Sequence, residues 1–459
     1  MQEIRLEKDS IGVREIPKDV YYGVQSLRAF ENFPISGKKV HTQFIRAIAE
    51  IKKAAALTNM QAGVIQETIA NAMITACDEI IAGKLASDFI VDTVQGGAGT
   101  SLNMNANEVI ANRAIELLGK QKGDYSIVHP NDHANCAQST NDVFPSAGKL
   151  AAIRLLQAAS VELSALQQAF LDKSQQYSTA LKMGRTEMQE AVPISFGQVF
   201  QAYASALSRD ITRFSEAINA LSVLNMGGTA IGTGISASEY YMKNIIPNLC
   251  TVTNLKLMQA DDLIDATQNL DVFVYVSGIV KSCAVTLSKI ANDLRLMSSG
   301  PRTGFAEINL PAKQNGSSIM PGKINPVIPE VVSQVAFLII GNDTTITHAA
   351  EAGQLELNAF EPIIFSRLFE SLDTLANVVR VFKKDCVDGI TVNVERSNRE
   401  IEESITTITA FCPLIGYSKA ASLAKKALRD GKTIRQILLE ENVLSSEEID
   451  KILSPDSMI

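Results

Sequence analysis

A mainly α-helical protein built around a bundle of long helices is the expectation for these 459 residues, and three observations support it. Apolar residues at Ala152, Leu156, Ala159, Leu163, Leu166 and Phe170 alternate spacings of four and three, which holds one stripe on one helix face. The same rhythm returns at Val276, Val280, Cys283, Leu287, Ile290 and Leu294, and again at Leu368, Leu372, Leu375, Val379 and Phe382. Strand-like alternation, by contrast, is confined to short pieces such as EIRLEK near the start, so a parallel α/β sheet is not expected.

Long stripes of this kind pack nearly parallel or antiparallel, as a bundle. The stretch from Leu270 to Leu296 is apolar on more than one face, because Phe273, Val274, Ile279, Ala284 and Val285 fill its flanks. It is expected inside the bundle or between subunits. At Asp388–Arg396 a glycine and β-branched residues break the pattern, which marks the end of the bundle. Beyond it, Ser445 with Glu448 has the spacing of a capping box opening a short helix. Three domains follow: an N-terminal, mostly helical 1–141, a central long-helix bundle 142–392 and a small helical 393–459.

Composition narrows the function. The 42 Lys+Arg against 50 Asp+Glu give a net charge of −8 with no block of five like charges, which argues against a nucleic-acid partner. Six cysteines without a CxxC pair suit a reduced, cytoplasmic protein. The start MQEIRLEKDS has no apolar signal region. Apolar runs such as VAFLII fall far short of the ~18 residues that span a bilayer, so no membrane partner is expected. The four histidines form no HExxH and no Cys/His cluster, so no metal is expected, and there is no GxSxG elbow. GGTAIGTG at 227–234 has no strand before it, which argues against a dinucleotide site, and no cofactor is expected.

Four non-helical segments share a chemical character. Gly96-Gly97-Ala98-Gly99 leads into Thr100 and Ser101, with Asn103, Asn105 and Asn107 following. HPNDHANCAQSTND at 129–142 holds Ser139, Thr140 and Asn141 just before the first stripe, where they suit a helix cap and an anion site equally. MGRTEMQE at 183–190 carries Arg185, Thr186 and Glu187. GSSIMPGKINP at 316–326 carries Ser317, Ser318, Lys323 and Asn325, with two glycines and two prolines that exclude regular structure. Hydroxyls, amides and a few cations are the equipment for holding a small carboxylate whose charge grows during reaction.

GSSIMPGKINP resembles the signature of the aspartase/fumarase superfamily, and GGAGTSLNMNANE, STND and MGRT resemble its other blocks in the same order. The resemblance runs essentially end to end. NPVIPEVV and IGNDTTITHAAEAGQLELNAFEP are similar to the aspartase branch, where fumarases usually read NPTQCEA and GNH. It implies a homotetramer with sites shared between subunits, and reversible anti-elimination of ammonia from L-aspartate through an aci-carboxylate. It also implies Ser317 as the base, with Thr100, Ser101, Ser139, Thr140, Thr186 and Ser318 as donors to a dicarboxylate. Asn141 would lie near the amino group, and Lys323 and Asn325 would hold the other carboxylate. Glu187 departs from the pattern, since fumarases and many aspartases carry His there and other aspartases Gln. Beside a dicarboxylate it would have to be protonated, contact the amino group, or pair with Lys323 or Arg185. A fumarate hydratase-like enzyme and a non-catalytic helical scaffold are the alternatives.

Overall fold

The computed structural model describes residues 3–454 and 457. It opens with the antiparallel pair β1 (Ile4–Asp9) and β2 (Gly12–Pro17), in register from Ile4–Pro17 to Asp9–Gly12. Helices α1 (Val24–Asn32), α2 (Thr42–Gln61), α3 (Glu67–Ile81) and α4 (Thr100–Leu117) follow, then a π turn at Pro130–Ala134 and the 37-residue α5 (Thr140–Gln176). A hairpin of β3 (Leu181–Thr186) and β4 (Gln189–Ser195) leads to α6 (Phe196–Leu221), β5 (Val223–Leu224), α7 (Glu239–Thr253) and β6 (Met258–Gln259). Next come α8 (Leu263–Gln268), α9 (Asp271–Met297), β7 (Ile308–Asn309), α10 (Val327–Glu351), α11 (Glu361–Asp385) and β8 (Thr391–Val392). The chain closes with α12 (Val394–Glu403), a 3₁₀ run at Ile405–Phe411, and α13 (Cys412–Ile415), α14 (Tyr417–Asp430), α15 (Ile434–Glu440) and α16 (Ser446–Ile452).

The mainly α fold is as the periodicity requires. All residues of the three stripes are buried in α5, α9 and α11. The capping box of Ser445 and Glu448 is formed in both directions at the start of α16.

Compact units divide the chain discontinuously: Met1–Ala159 with Arg213–Ser282 and Leu338–Thr374, and Ser160–Thr212 with Cys283–Phe337 and Leu375–Ile459. The core of the first unit includes a cluster of aromatic rings. Phe44 lies 4.9 Å from Phe144 and 5.3 Å from Phe365, and Phe273 meets Phe365 edge-on at 4.9 Å. Gly148 on α5 makes room for this cluster, because a Cβ there would sit 2.1 Å from the Phe365 ring. In the second unit, Phe170, Phe200 and Tyr203 pack together, with Phe382 against Phe170. A separate cluster is formed by Ile408, Phe411, Ala420, Leu423, Ala427, Ile434, Ile437, Leu438 and Ile449.

Among the described residues α9 is long and apolar enough, by length and mean composition alone, to cross a membrane, although it contains no continuous apolar run of that length. Two of its charged side chains are engaged within the units: Lys281 pairs with Asp343 at 2.6 Å, and Asp293 accepts a hydrogen bond from Tyr203 at 2.8 Å.

Candidate functional site

In the first unit the loop of three glycines turns the chain into α4. Gly97, Ala98 and Gly99 all have positive φ (80°, 53° and 88°), and a Cβ on Gly99 would meet the Phe144 ring at 2.4 Å. This seats Thr100 and Ser101 in the first turn of α4. Both line a cleft of about 530 Å³ together with Lys8, Arg28, His129 and Asn131.

Ser139, Thr140 and Asn141 stand at the start of α5, where their positions are set by buried partners. Asp142, fully buried, accepts from the Ser139 N–H at 2.9 Å, the Gly227 N–H at 3.2 Å and the Thr229 N–H at 3.1 Å. Burial pushes its carboxyl up to about 6 although those three donors act the other way. Asn141 donates to the Ala230 carbonyl at 2.7 Å, and Asn225 donates to the Asn141 carbonyl at 2.9 Å. The GGTAIGTG segment, which the sequence reading only excluded as a nucleotide site, is therefore the buttress of the STND segment.

Thr140 is held from a different side. Asn103 Nδ2 donates to Thr140 Oγ1 at 3.1 Å and to Asn135 Oδ1 at 3.1 Å, and Asn107 Nδ2 also reaches Asn135 Oδ1 at 3.2 Å. Asn103 and Asn107 are one helical turn apart and share a face, whereas Asn105 bonds elsewhere, to Ile90 N–H and the Asp88 carbonyl. The same Asn135 oxygen accepts from Lys52 Nζ at 2.8 Å.

The second unit carries the remaining candidates. Ser317 Oγ accepts from the backbone N–H groups of Ile319 (3.2 Å) and Met320 (3.0 Å). The stem of that loop is tied by Gly316 N–H to the Lys323 carbonyl at 2.9 Å and by Asn325 Nδ2 to the Gly316 carbonyl at 2.7 Å. Only glycine closes it, since a Cβ at 316 would lie 2.4 Å from that Lys323 oxygen. Ser318 and Lys323 are exposed on the loop, as are the apolar Ile319, Met320 and Ile324.

Thr186 ends β3, paired with Gln189, and the two residues between them, Glu187 and Met188, both have positive φ (53° and 65°). That is the geometry of a type I′ turn, which ordinarily takes Asn-Gly. Arg185, beneath the turn, contacts the buried Glu307, reaches Glu400 at 3.0 Å and lies 4.4 Å from the Phe305 ring. Lys182 also faces Glu307, at 3.3 Å. The expected option that Glu187 pairs with Arg185 is thereby corrected, because the guanidinium is already committed to two other carboxylates. Among the described residues Glu187 forms no salt bridge with Lys323 either.

The structure thus groups Thr100, Ser101, Ser139, Thr140 and Asn141 in one unit and Thr186, Glu187, Ser317, Ser318, Lys323 and Asn325 in the other. Sequence reasoning missed Lys52, Asn135, Asp142, Asn225 and Glu307. All but Asn135 are almost completely buried, and nothing in their local spacing sets them apart from ordinary helix or loop residues. Among the described residues no group of three or more His, Cys, Asp or Glu side chains could hold a metal ion.

A family profile described as Lyase matches residues 12–341, and one described as Fumarase C C-terminus matches 408–459. The chain is 50% identical over 457 residues to an aspartate ammonia-lyase of Bacillus subtilis (strain 168), covering 100% of this chain and 96% of that protein. It is 45% identical to an aspartate ammonia-lyase of Escherichia coli (strain K12), covering 99% and 96%. Among solved structures, a fumarate lyase:delta crystallin from Brucella melitensis, bound to cobalt, superposes with a TM-score of 0.96 at 48% identity over 99% of both chains. A class II fumarase from Schistosoma mansoni superposes with a TM-score of 0.95 at 34% identity, also over 99% of both.

Proposed function

The chain belongs to the aspartase/fumarase superfamily, and from this we propose that it is an aspartate ammonia-lyase, a carbon–nitrogen lyase that converts L-aspartate reversibly to fumarate and ammonia. The observation that carries the proposal is the identity of 45–50% to aspartate ammonia-lyases along essentially the whole chain.

In this reading Ser317 removes a proton from C3 of aspartate, next to a carboxylate, and the electron pair collects there as an aci-carboxylate. The intermediate then expels ammonia from C2 as the C2–C3 double bond forms. A serine hydroxyl is a poor base at neutral pH. Two backbone N–H groups already point at Ser317 Oγ, and donors of that kind favour the oxyanion form. Closure of the exposed, apolar 319–324 segment over substrate would remove water and strengthen both bonds. Thr100, Ser101, Ser139, Thr140, Thr186 and Ser318 then donate to the carboxylates, Lys323 and Asn325 hold the second one, and Asn141 lies near the amino group. Glu187, exposed at the hairpin tip, is left to meet the substrate ammonium.

We assign a homotetramer whose sites draw on several copies. Support comes from apolar side chains that face outward in the single chain: Tyr275, Val285 and Leu296 on α9, and Val331, Phe337, Leu338 and Ile340 on α10. A cytoplasmic location and the division at about residues 141 and 393 belong to the same proposal. The six cysteines, all free, suit that location.

Incubation with L-aspartate, following fumarate absorbance and ammonia release, tests the assignment. Hydration of fumarate without deamination would make it a hydratase instead, and inactivity towards both would make it a scaffold.

A further inference from the structure

We propose that Lys52 is a positioning residue that supplies positive charge from beneath the carboxylate site, anchored on the Asn135 oxygen that also holds Asn103, the donor to Thr140. The proposal rests on the reading that Thr140 holds a substrate carboxylate.

Lys52 is completely buried on α2, and among the described residues its hydrogen bond goes to Asn135 Oδ1 at 2.8 Å. A lysine in a helix interior is ordinarily replaced by leucine or alanine unless a partner or a task keeps it there. A carboxylate would be the usual partner, yet the nearby Asp142 spends its oxygens on three backbone N–H groups. The charge instead abuts a chain of neutral amides. Asn135 Oδ1 collects Lys52, Asn103 and Asn107, and Asn103 passes a donor on to Thr140 Oγ1. Because Thr140 accepts from below, its own proton is free to be donated outward. Accepting from Asn103 polarises the Thr140 hydroxyl as a donor, while Lys52, whose ammonium converges with Asn103 on the same Asn135 oxygen, adds its positive charge through space.

The titratable groups around Lys52 are Asp142 on α5 and Cys77 on α3. From α7, Tyr241 faces Asp142 and Cys136, and α4 brings the amides of Asn103 and Asn107 to the same Asn135 oxygen. Burial lowers the Lys52 ammonium to about 7, so the free protein holds it only partly protonated at neutral pH. A dianion above the relay favours the protonated form, and binding must therefore take up a proton.

The test is calorimetric binding of succinate, an unreactive dicarboxylate, to the full-length protein at pH 7.5 in phosphate and in Tris, whose ionisation heats differ. Net proton uptake is expected for the wild type, together with a succinate affinity that falls about tenfold per pH unit above neutrality. Lys52→Met should lose the uptake and flatten the pH dependence while weakening succinate about tenfold or more. Lys52→Arg, which cannot deprotonate, should lose the uptake yet keep the affinity. If Lys52→Met does not fold, Asn135→Asp serves in its place, since a carboxylate beside Lys52 holds it protonated and should likewise abolish the uptake. Absence of uptake in the wild type, or uptake that persists in a folded variant, overturns the proposal. Succinate binding with uptake but no turnover of aspartate would refute the lyase assignment and leave the role of Lys52 standing. Turnover without uptake would do the reverse.

Discussion

Ser317 has two separable duties in this structure, and two substitutions tell them apart. Its Oγ accepts from Ile319 N–H at 3.2 Å and Met320 N–H at 3.0 Å, which shapes the apex of the loop, and it is also the proposed base. Ser317→Ala removes both functions. The lost acceptor is half-buried on an exposed loop, so water replaces it and the stability cost is about 1 kcal/mol, the usual figure for a lost cap. Loss of the base costs about 10²–10⁴-fold in kcat. Ser317→Asn keeps an oxygen acceptor of comparable capping strength but has no proton-abstracting hydroxyl. The expected result is therefore an Asn variant with the melting temperature of the wild type and the turnover of the Ala variant, both with KM for L-aspartate within a few-fold of wild type. The assay is fumarate absorbance alongside thermal denaturation. An Asn variant within about tenfold of wild-type kcat would show that Ser317 matters only as a turn former, and the assignment of the base would fall.

Arg185→Met should destabilise the protein by about 3 kcal/mol, because it strips the buried Glu307 of its guanidinium and leaves only Lys182 beside it; urea denaturation with an unchanged midpoint would contradict this. Replacing Glu187-Met188 with Asn-Gly puts residues at home at positive φ into the hairpin tip and should raise stability by about 1–2 kcal/mol, read as a shift in the thermal midpoint. Lys52 makes stability depend on pH. Its folded-state pKa of about 7 lies below the ordinary 10.5, so the unfolded chain binds more protons in that window and stability rises as pH goes from about 7 towards 10. In Lys52→Met the part of the rise that begins near pH 7 should be lost from denaturation curves collected across the range, leaving the later rise that buried Lys149 contributes from about 8 upwards, and an unchanged slope near pH 7 would place the titration elsewhere.

The long helices were legible because their burial is periodic. Every residue of the stripes at 152–170, 276–294 and 368–382 is buried, since a helix in a bundle repeats its inward face along its length. The hairpin of β3 and β4 was not legible, although MGRT was marked as a segment of interest. Its strands are short, and its turn uses Glu-Met where a hairpin is normally announced by Asn-Gly. Among the candidate residues, hydroxyls and amides following glycines could be found locally. Their supports could not, because the contacts are long-range: Lys52 meets Asn135 across 83 residues and Asp142 meets Gly227 across 85. Asn103 and Asn107 stood out in the sequence, but that they share a face excluding Asn105 becomes informative only once Asn135 is seen opposite them.

The two-residue tip at Glu187-Met188 behaves as a socket. Strand pairing from Leu181–Ser195 to Thr186–Gln189 settles the register below it, and the ion pairs of Arg185 secure its base. The side chain at 187 is exposed and takes no part in either. A histidine or a glutamine could be plugged in there without rearranging the hairpin, and histidine tolerates positive φ better than glutamate does. Chemistry at this corner can therefore drift by single substitutions, decoupled from the folding of the scaffold that presents it.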